Sequence, residues 1–264
     1  MNATRTLFLS PRVTATGHVL ADAARRRGMR VETLRDCRAP EREAASAGDS
    51  LYSGPLFADA VARGLGLGLL EAPEDWLARL PHEDTLREVE FTTIARARRL
   101  RRPAFVKPPN DKSFPARVYR DGSGLPGQDA VDDDMPVLVS DVVTFALEYR
   151  LFLLDGEVRT GSRYATGGEL DVAPLAADPR RSEVLGFAGR LATEGLPSAV
   201  VVDVGLLAGS GWAVVEANAA WASGHYACDA DAALDVVLRA ARPEGEFAAA
   251  ECRFLRPAPE VIRD

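Results

Sequence analysis

The chain has 264 residues, of which 47% are hydrophobic, and this is enough to bury a large core in one or two domains. Its net charge of −7 disfavours a nucleic-acid-binding or membrane-surface protein, because either needs a positive surface. The cysteines are few and scattered, so neither a disulfide framework nor a zinc site is predicted. The start of the chain lacks the apolar region of a secretory signal, and no apolar run reaches the roughly 18 residues of a membrane helix. We therefore expect a cytoplasmic protein without nucleic-acid or membrane partners.

The first third of the chain alternates between strand and helix patterns. Residues 5–10 predict an apolar strand, residues 13–27 a helix and residues 29–34 a second strand, with Gly28 suited to end the helix. A βαβ opening of this kind implies a parallel sheet. A further helix, a strand and a short helix led by a proline are predicted before residue 85.

Residues 82–100 show the longest helical pattern in the chain, and Pro103 is expected to end it. The run RARRLRR at 96–102 lies at its end. A basic run can mark a nucleic-acid site, but we interpret this one as a solvated helix end, where arginines favour the negative pole of the helix dipole.

The remainder of the chain is dominated by patterns typical of antiparallel strands. The predicted strands are AFVKP (104–108), ARVYR (116–120), PVLVS (136–140), the hairpin EYRLFLLDGEVRTGSRY (148–164), AVVVDVG (199–205) and WAVVEAN (212–218). Helices are expected at 182–196 and 229–241, and a glycine-rich acidic loop at 121–135. The fold class is therefore predicted as an α/β N-terminal βαβ domain, residues 1–85, followed by an α+β domain with antiparallel sheets, residues 86–264.

Polar side chains interrupt two of these apolar strands. Asp203 lies in one strand, and Glu216 and Asn218 lie two residues apart in the next, after a glycine-containing connection typical of a hairpin. Pairing of the strands places Asp203 opposite Glu216, and the period of two places Asn218 on the same face. Two carboxylates and an amide suit Mg²⁺. An ordinary exposed sheet face is the alternative.

Further charged residues suggest a phosphate or nucleotide site. Lys107 and Lys112 are the only lysines, and both lie in FVKPPNDKSF. An ammonium on a flexible stem suits a phosphate oxygen, although two surface lysines near a turn remain an alternative. Glu148 and Arg150 share one face of a strand. They fit either a nucleotide cleft or a surface salt bridge, which would contribute little to stability.

In order and spacing, these elements resemble the ATP-grasp ligases over residues 87–225, behind what is similar to a pre-ATP-grasp domain. The resemblance rests on AFVKP, on the segment from Asp141 to Glu148, and above all on the D…ExN pattern of Asp203, Glu216 and Asn218. The hairpin at 148–164 and the glycines after it resemble the ribosomal-protein-modifying and glutathione-synthetase-like branches. Lys107, Arg150 and Arg163 resemble a small clade named for two arginines and a lysine.

The resemblance implies ATP and one or two Mg²⁺ ions as cofactors, with Mn²⁺ as a possible substitute. Lys107 would contact the α/β-phosphates and Lys112 the β/γ end. The other implied nucleotide contacts are Asp141 and the backbones of Val142 and Thr144 for the adenine, and Glu148 for the ribose. Arg87 on the predicted helix would be a further cation for the nucleotide or an ordinary arginine on the helix surface. Asp203, Glu216 and Asn218 would hold the metal.

Substrate residues follow from the same resemblance. Arg150 and Arg163 would stabilise an acyl phosphate and the substrate carboxylate. His225, in ASGHYACD, is either a base, a carboxylate ligand or a structural histidine, and Ser223 belongs to the same predicted rim. Arg12 follows the first strand, where it would hold a carboxylate or lie in solvent. The acidic loop at 121–135 is the expected lid.

The implied reaction is ATP-dependent ligation of a carboxylate to an amine through an acyl phosphate, with ADP and phosphate as products. The carboxylate and amine would belong to an amino acid, a small peptide or a protein terminus. The alternatives are a phosphotransferase that stops at a phosphorylated product and a non-catalytic nucleotide-binding module. An intact D…ExN set weighs against the second alternative. The sequence leaves open whether the protein is a monomer or a homodimer.

Overall fold

The computed structural model describes residues 5–39, 46–110, 113–191 and 195–257. It opens with a parallel sheet of β1 (Thr6–Leu9), β2 (Arg30–Thr33) and β3 (Ser50–Tyr52), in the order β2-β1-β3. Helix α1 (Ala15–Arg26) connects β1 to β2. The hydroxyl of Thr14 caps its first turn, and Gly28 follows its end at φ 71°, a conformation that glycine adopts easily. The predicted βαβ opening is confirmed.

The N-terminal sheet shares its core with the end of the chain. The chain continues through α2 (Pro55–Val61), β4 (Leu67–Leu69) and α3 (Trp76–Arg79). Strand β4 pairs with β14 (Ala241–Pro243), which lies much later in the chain. Helix α7 (Ala230–Ala240) packs its apolar face against the sheet, so Leu234 and Val237 lie in one core with Leu7 and Phe8. The boundary near residue 85 stays a prediction.

The helix predicted at 82–100 is wrong. The structure has α4 (His82–Thr85), β5 (Val89–Thr93) and α5 (Ile94–Ala97) there. Leu86 ends α4 in a left-handed conformation with φ 49°. The next residues, VEFTT, are β-branched or aromatic apart from one glutamate, and they favour a strand because their side chains pack well on a pleated sheet.

Strand β5 begins the second sheet. Its order is β5-β8-β6-β7, with β6 (Ala104–Lys107), β7 (Arg117–Tyr119) and β8 (Pro136–Ser140). Alternate residues such as Val106, Val137 and Val139 pack with α5 in a small core on one face. Lys107 follows Val106 and therefore lies on the opposite face, at the end of β6.

The third sheet has five antiparallel strands in the order β11-β10-β9-β12-β13. They are β9 (Phe145–Leu154), β10 (Glu157–Thr166), β11 (Glu169–Pro174), β12 (Ala199–Leu207) and β13 (Gly211–Asn218). Asp155 and Gly156, both at positive φ, form the predicted turn between β9 and β10. Strand β11 was not predicted, and α6 (Arg181–Ala188) ends earlier than expected. The α/β opening and the antiparallel sheets confirm the predicted fold class.

No described helix is both long and apolar enough to cross a membrane.

Candidate active site

The five-stranded sheet brings the predicted acidic residues together. Asp203 on β12 pairs in register with Glu216 on β13 and, on its other side, with Arg150 on β9. Asn218 lies two residues after Glu216, and its amide reaches both carboxylates, at 3.0 Å from Glu216 Oε1 and 3.3 Å from Asp203 Oδ2. The three residues singled out from the sequence therefore lie together in the structure and are not dispersed over the surface.

Within the cluster, Asp203 forms a nearly buried ion pair with Arg150. The Nε of Arg150 donates to Asp203 Oδ1 at 2.9 Å and its Nη2 to Oδ2 at 2.6 Å, while Nη1 donates to the carbonyl of Gly224 at 3.2 Å. The side chain of Asp203 is only 1% exposed. Burial lowers the pKa of Arg150. The charge of Asp203 and its hydrogen bonds with Arg150 raise this pKa by more than burial lowers it, so the guanidinium stays charged.

Lys107 pairs with Glu216 across the gap between the two larger sheets. The ammonium, at the end of β6, forms a salt bridge with Glu216 Oε2 on β13. Burial raises the pKa of Glu216, but the charge of Lys107 and the hydrogen bonds from Lys107 and Asn218 hold it below its usual range. Glu216 is therefore ionised at neutral pH.

A tyrosine pair borders the cluster. The hydroxyl of Tyr164 donates to Glu148 Oε2 at 2.7 Å, and its ring stacks on Tyr226 at 5.1 Å between centroids. The Arg150 guanidinium lies 5.8 Å and 5.1 Å from these two ring centroids. Burial raises the pKa of Glu148, while the bond from Tyr164 lowers it. Tyr164 was not predicted from the sequence. Ser162 pairs in register with Arg150, and side chains two residues apart on a strand face the same side. This rule could have indicated Tyr164 as a neighbour of Arg150.

The cluster opens into a cleft of about 980 Å³ between the sheets and the N-terminal part. Lys107, Arg150, Glu216 and Asn218 line it, together with Asn110, Ser223, His225 and Tyr226. Asp203 is not among the lining residues and lies behind them. A cleft of this size accommodates a nucleotide or a peptide segment.

Two of the predicted substrate residues, Ser223 and His225, lie at this cleft. The Ser223 hydroxyl donates to the carbonyl of Ala219 at 2.7 Å. The backbone N–H of His225 donates to the Thr16 hydroxyl, which also lies 3.2 Å from the His225 ring Nδ1. Burial lowers the pKa of His225, so its ring is neutral at pH 7.

Arg163 does not reach the cluster, contrary to its predicted role. It pairs in register with Tyr149, whose side chain packs in the core on the opposite face from Arg150. Its guanidinium forms salt bridges with Asp178 at 2.7 Å and Asp171 at 3.1 Å. The alternation of side chains across the sheet explains the separation, because neighbouring register positions face opposite sides.

Arg87 also differs from its predicted position. It lies between α4 and β5 rather than on a helix, and it is buried. Its guanidinium donates to the carbonyls of Thr85, Val214 and Val215 at 3.0, 2.7 and 3.0 Å. Burial lowers its pKa to about 10. Arg87 thus joins the start of β5 to β13, and its N–H groups are directed at backbone rather than into the cleft.

Three more residues that were predicted to contact the adenine lie in the connection between β8 and β9. Asp141 accepts a hydrogen bond from the backbone of Glu88 and a salt bridge from Arg102, both at 3.2 Å. Val142 and Thr144 are exposed, and the Thr144 carbonyl accepts from Ala208 at 3.3 Å. Arg12 is exposed in the loop after β1, outside the lining of the cleft. Lys112 lies outside the described residues.

The cluster offers the oxygen ligands that a hard cation such as Mg²⁺ prefers, but these oxygens also accept hydrogen bonds from neighbouring side chains. Glu216 and Asn218 face the cleft with oxygen donors, and Mg²⁺ needs only one or two carboxylates when phosphate oxygens complete its shell. Among the described residues no group of three or more histidine, cysteine or acidic side chains surrounds a metal position. Each carboxylate oxygen of Asp203 and Glu216 accepts a bond from Arg150, Lys107 or Asn218. Among the described residues, three of these four oxygens accept one bond each and keep a lone pair for a cation. The adjacent charges of Lys107 and Arg150 oppose a metal ion, so metal binding is favoured when Lys107 leaves Glu216.

Comparisons with known proteins agree with this architecture. A RimK domain protein ATP-grasp from Sphaerobacter thermophilus DSM 20745 is 16% identical, with 89% of this chain and 100% of that chain covered and a TM-score of 0.54. D-alanine–D-alanine ligase from Bacillus anthracis is 12% identical over 90% and 97% of the two chains, with a TM-score of 0.48. No curated protein matches the sequence. The first of these likenesses shows an ATP-grasp fold.

A family model of an ATP-grasp domain, the second family of the clade named for two arginines and a lysine, matches residues 85–236, more than half of the chain. That range contains β5 to β13 and every residue of the cluster at the cleft. The protein therefore belongs to this two-arginine, one-lysine clade of the ATP-grasp family.

Proposed function

We propose that the protein is an ATP-dependent carboxylate–amine ligase that works through an acyl phosphate and releases ADP and phosphate. Family membership supports ATP as the energy source. The observation that carries the proposal is the convergence of Lys107 from one sheet with Arg150, Glu216 and Asn218 from another at one large cleft. Phosphoryl transfer requires mainly alignment and charge neutralisation, and these side chains can provide both.

The two cations have separate tasks in this proposal. Lys107, on the sheet that covers the cleft, leaves Glu216 and binds the nucleotide phosphates. Arg150 stays on Asp203 and presents its remaining Nη1 edge, now on the Gly224 carbonyl, to the substrate carboxylate or acyl phosphate. A guanidinium fixed by a bidentate carboxylate is preorganised, so little reorganisation is needed during the reaction.

Glu216 and Asn218 would hold Mg²⁺ at the cleft wall, and Asp203 would join them if its bonds from Arg150 and Asn218 are exchanged. The ion would neutralise charge on the transferring phosphoryl group. Glu148, held by Tyr164, would accept the ribose hydroxyls. Asp141 and the backbones of Val142 and Thr144 remain the proposed adenine contacts.

The segment after β13 provides the proposed substrate contacts, beside the Gly224 carbonyl that accepts from Arg150. The neutral His225 ring, next to Thr16, can accept a proton from the incoming amine, and Ser223 lines the same part of the cleft. The open cleft suits an amino acid, a small peptide or a protein terminus. The free cysteines of the described residues fit the reducing cytoplasm that we propose as its location.

The function is tested by a coupled ADP assay across amino acids and short peptides, with mass spectrometry of the products. We expect ADP release that depends on both a carboxylate and an amine, together with a new amide mass. A stable phosphorylated product formed without the amine would instead indicate a phosphotransferase. Nucleotide binding without any turnover across the panel would indicate a binding module.

The bond between Tyr164 and Glu148 gives a prediction about nucleotide binding. Tyr164→Phe removes the hydroxyl that fixes the Glu148 carboxylate, so this carboxylate is less well oriented for the ribose. We expect the KM for ATP to rise about tenfold or more, as for loss of a hydrogen bond to a charged group, with kcat changed little. Tyr226→Phe keeps the stacked ring and serves as the control. An unchanged KM in Tyr164→Phe would remove Glu148 from the proposed site.

A further inference from the structure

A second cavity lies on the four-stranded sheet, and four of its nine lining residues are arginines. It has a volume of about 580 Å³, and we call it the arginine groove. The lining residues that matter here are Glu90, Thr92, Arg96, Arg99, Arg101 and Arg102. The groove therefore concentrates positive charge on a protein whose net charge is −7.

The arginine groove faces away from the candidate active site. Its floor contains Thr92 of β5 and Val139 of β8, which lie on the sheet face that packs against α5. Lys107, which reaches the cluster at the cleft, lies on the opposite face of the same sheet. A ligand in the groove would thus lie on the other face of this sheet from Lys107, while Arg102 at the groove pairs with Asp141, one of the proposed adenine contacts.

The arginines are not explained as a helix end, which was the interpretation from the sequence. Helix α5 is only four residues long and ends at Ala97, so most of the run continues beyond it. Arg96 is 3.9 Å from Glu90, and Arg102 is 3.2 Å from Asp141. Arg99 and Arg101 are exposed, and no salt bridge within the described part of the chain includes either. Their charge is available to a ligand.

The groove also adjoins a free sheet edge. Strand β5 stands first in its sheet and pairs on one side only, with β8. An edge strand offers backbone N–H and C=O groups to another strand. An extended segment can therefore pair with β5 beside the groove.

We infer that the arginine groove binds an extended acidic peptide segment, which adds to β5 as an antiparallel or parallel strand. Alternate side chains of such a strand lie over the groove, where carboxylates meet Arg99 and Arg101. A nucleic acid matches the charge but not the edge of a sheet, and beyond the groove it would meet a protein of net negative charge.

The test is fluorescence anisotropy of the full-length protein with a labelled peptide of alternating glutamate and valine at low salt. We expect binding that weakens as salt increases, and Arg99→Glu with Arg101→Glu should raise Kd by about tenfold or more. Arg35→Glu with Arg38→Glu makes the same charge change at two exposed positions of the N-terminal part and should leave Kd unchanged. If the first variant fails to fold, judged by circular dichroism, Arg99→Gln with Arg101→Gln replaces it.

Three further probes separate this inference from simple charge attraction. The peptide with glutamine in place of glutamate should not bind, and a peptide with alternate backbone nitrogens methylated should bind much more weakly, because it cannot pair with β5. A single-stranded oligonucleotide of equal charge should bind more weakly than the acidic peptide. Equal binding of the methylated peptide, tighter binding of the oligonucleotide, or equal Kd values for both arginine variants would overturn the inference.

Discussion

Replacing Glu216 with glutamine is expected to reduce ATP turnover by at least about 100-fold, as for the loss of one well-placed charged group in an active site. The substitution keeps the size of the side chain and an oxygen that can still accept from Lys107, but it removes the carboxylate charge that faces the cleft. Steady-state ADP release measures the effect, and circular dichroism shows whether the variant keeps its fold.

Glu183→Gln is the matched control for this experiment. Glu183 lies on α6, is half exposed and pairs with Arg180 on the surface, so its loss should leave turnover unchanged. If Glu216→Gln retained turnover within about twofold of the unmodified protein, the proposed metal role of Glu216 would be abandoned.

Arg150→Met is expected to destabilise the protein by about 3–5 kcal/mol, because it leaves Asp203 buried without its cation. Asp203 is 1% exposed, and both of its carboxylate oxygens accept from Arg150. Urea unfolding measures the change. Arg150→Met combined with Asp203→Leu removes both charges and should recover most of the stability, although both variants should lack ligase activity.

The same variant has a defined pH dependence. Burial raises the pKa of Asp203, and the Arg150 charge and hydrogen bonds oppose that rise, so the pKa in Arg150→Met should lie still higher. A carboxyl whose folded pKa exceeds its unfolded value of about 3.9 destabilises the fold once pH passes the unfolded value, and the penalty is complete above the folded pKa. The destabilisation should therefore be large at pH 7 and shrink toward pH 4. A loss that stays constant over this range would show that Asp203 is not the cause.

Sequence reasoning worked best where a short-range rule decides the geometry. The period of two along β13 places Glu216 and Asn218 on one face. Their alignment with Asp203 also depends on a bulge between Asp203 and Val204, which shifts the register of the hairpin by one residue and which the sequence does not reveal. The contact of Lys107 with Glu216 could not be predicted in this way, because it joins two sheets and spans 109 positions of the chain.

The errors arose where a longer pattern outweighed a local signal. The residues VEFTT of β5 favour a strand, but together with their neighbours they fit a helical pattern, and the left-handed Leu86 and the pairing with β8 decide for the strand. Arg163 was placed in the site by resemblance, but its register partner on β9 is Tyr149, so the alternation of side chains turns it to the opposite face from Arg150. Tyr164 occupies the site side of this strand instead.

The ion pairs at the cleft also indicate what nucleotide binding must change. In this structure Lys107 is held by Glu216 and Arg150 by Asp203, so the two cations are neutralised by the residues proposed to bind metal. A nucleotide with its cation would substitute for these partners and transfer Lys107 to phosphate. Arg150, almost buried and doubly bonded, is the less mobile of the two.

The most direct test of the central claim is a crystal structure with a non-hydrolysable ATP analogue and Mg²⁺. We predict the triphosphate in the cleft beside Lys107, and an ion about 2.0–2.1 Å from an oxygen of Glu216, with Lys107 released from that carboxylate. Nucleotide bound elsewhere, with Glu216 still paired to Lys107 and no ion beside it, would contradict the account.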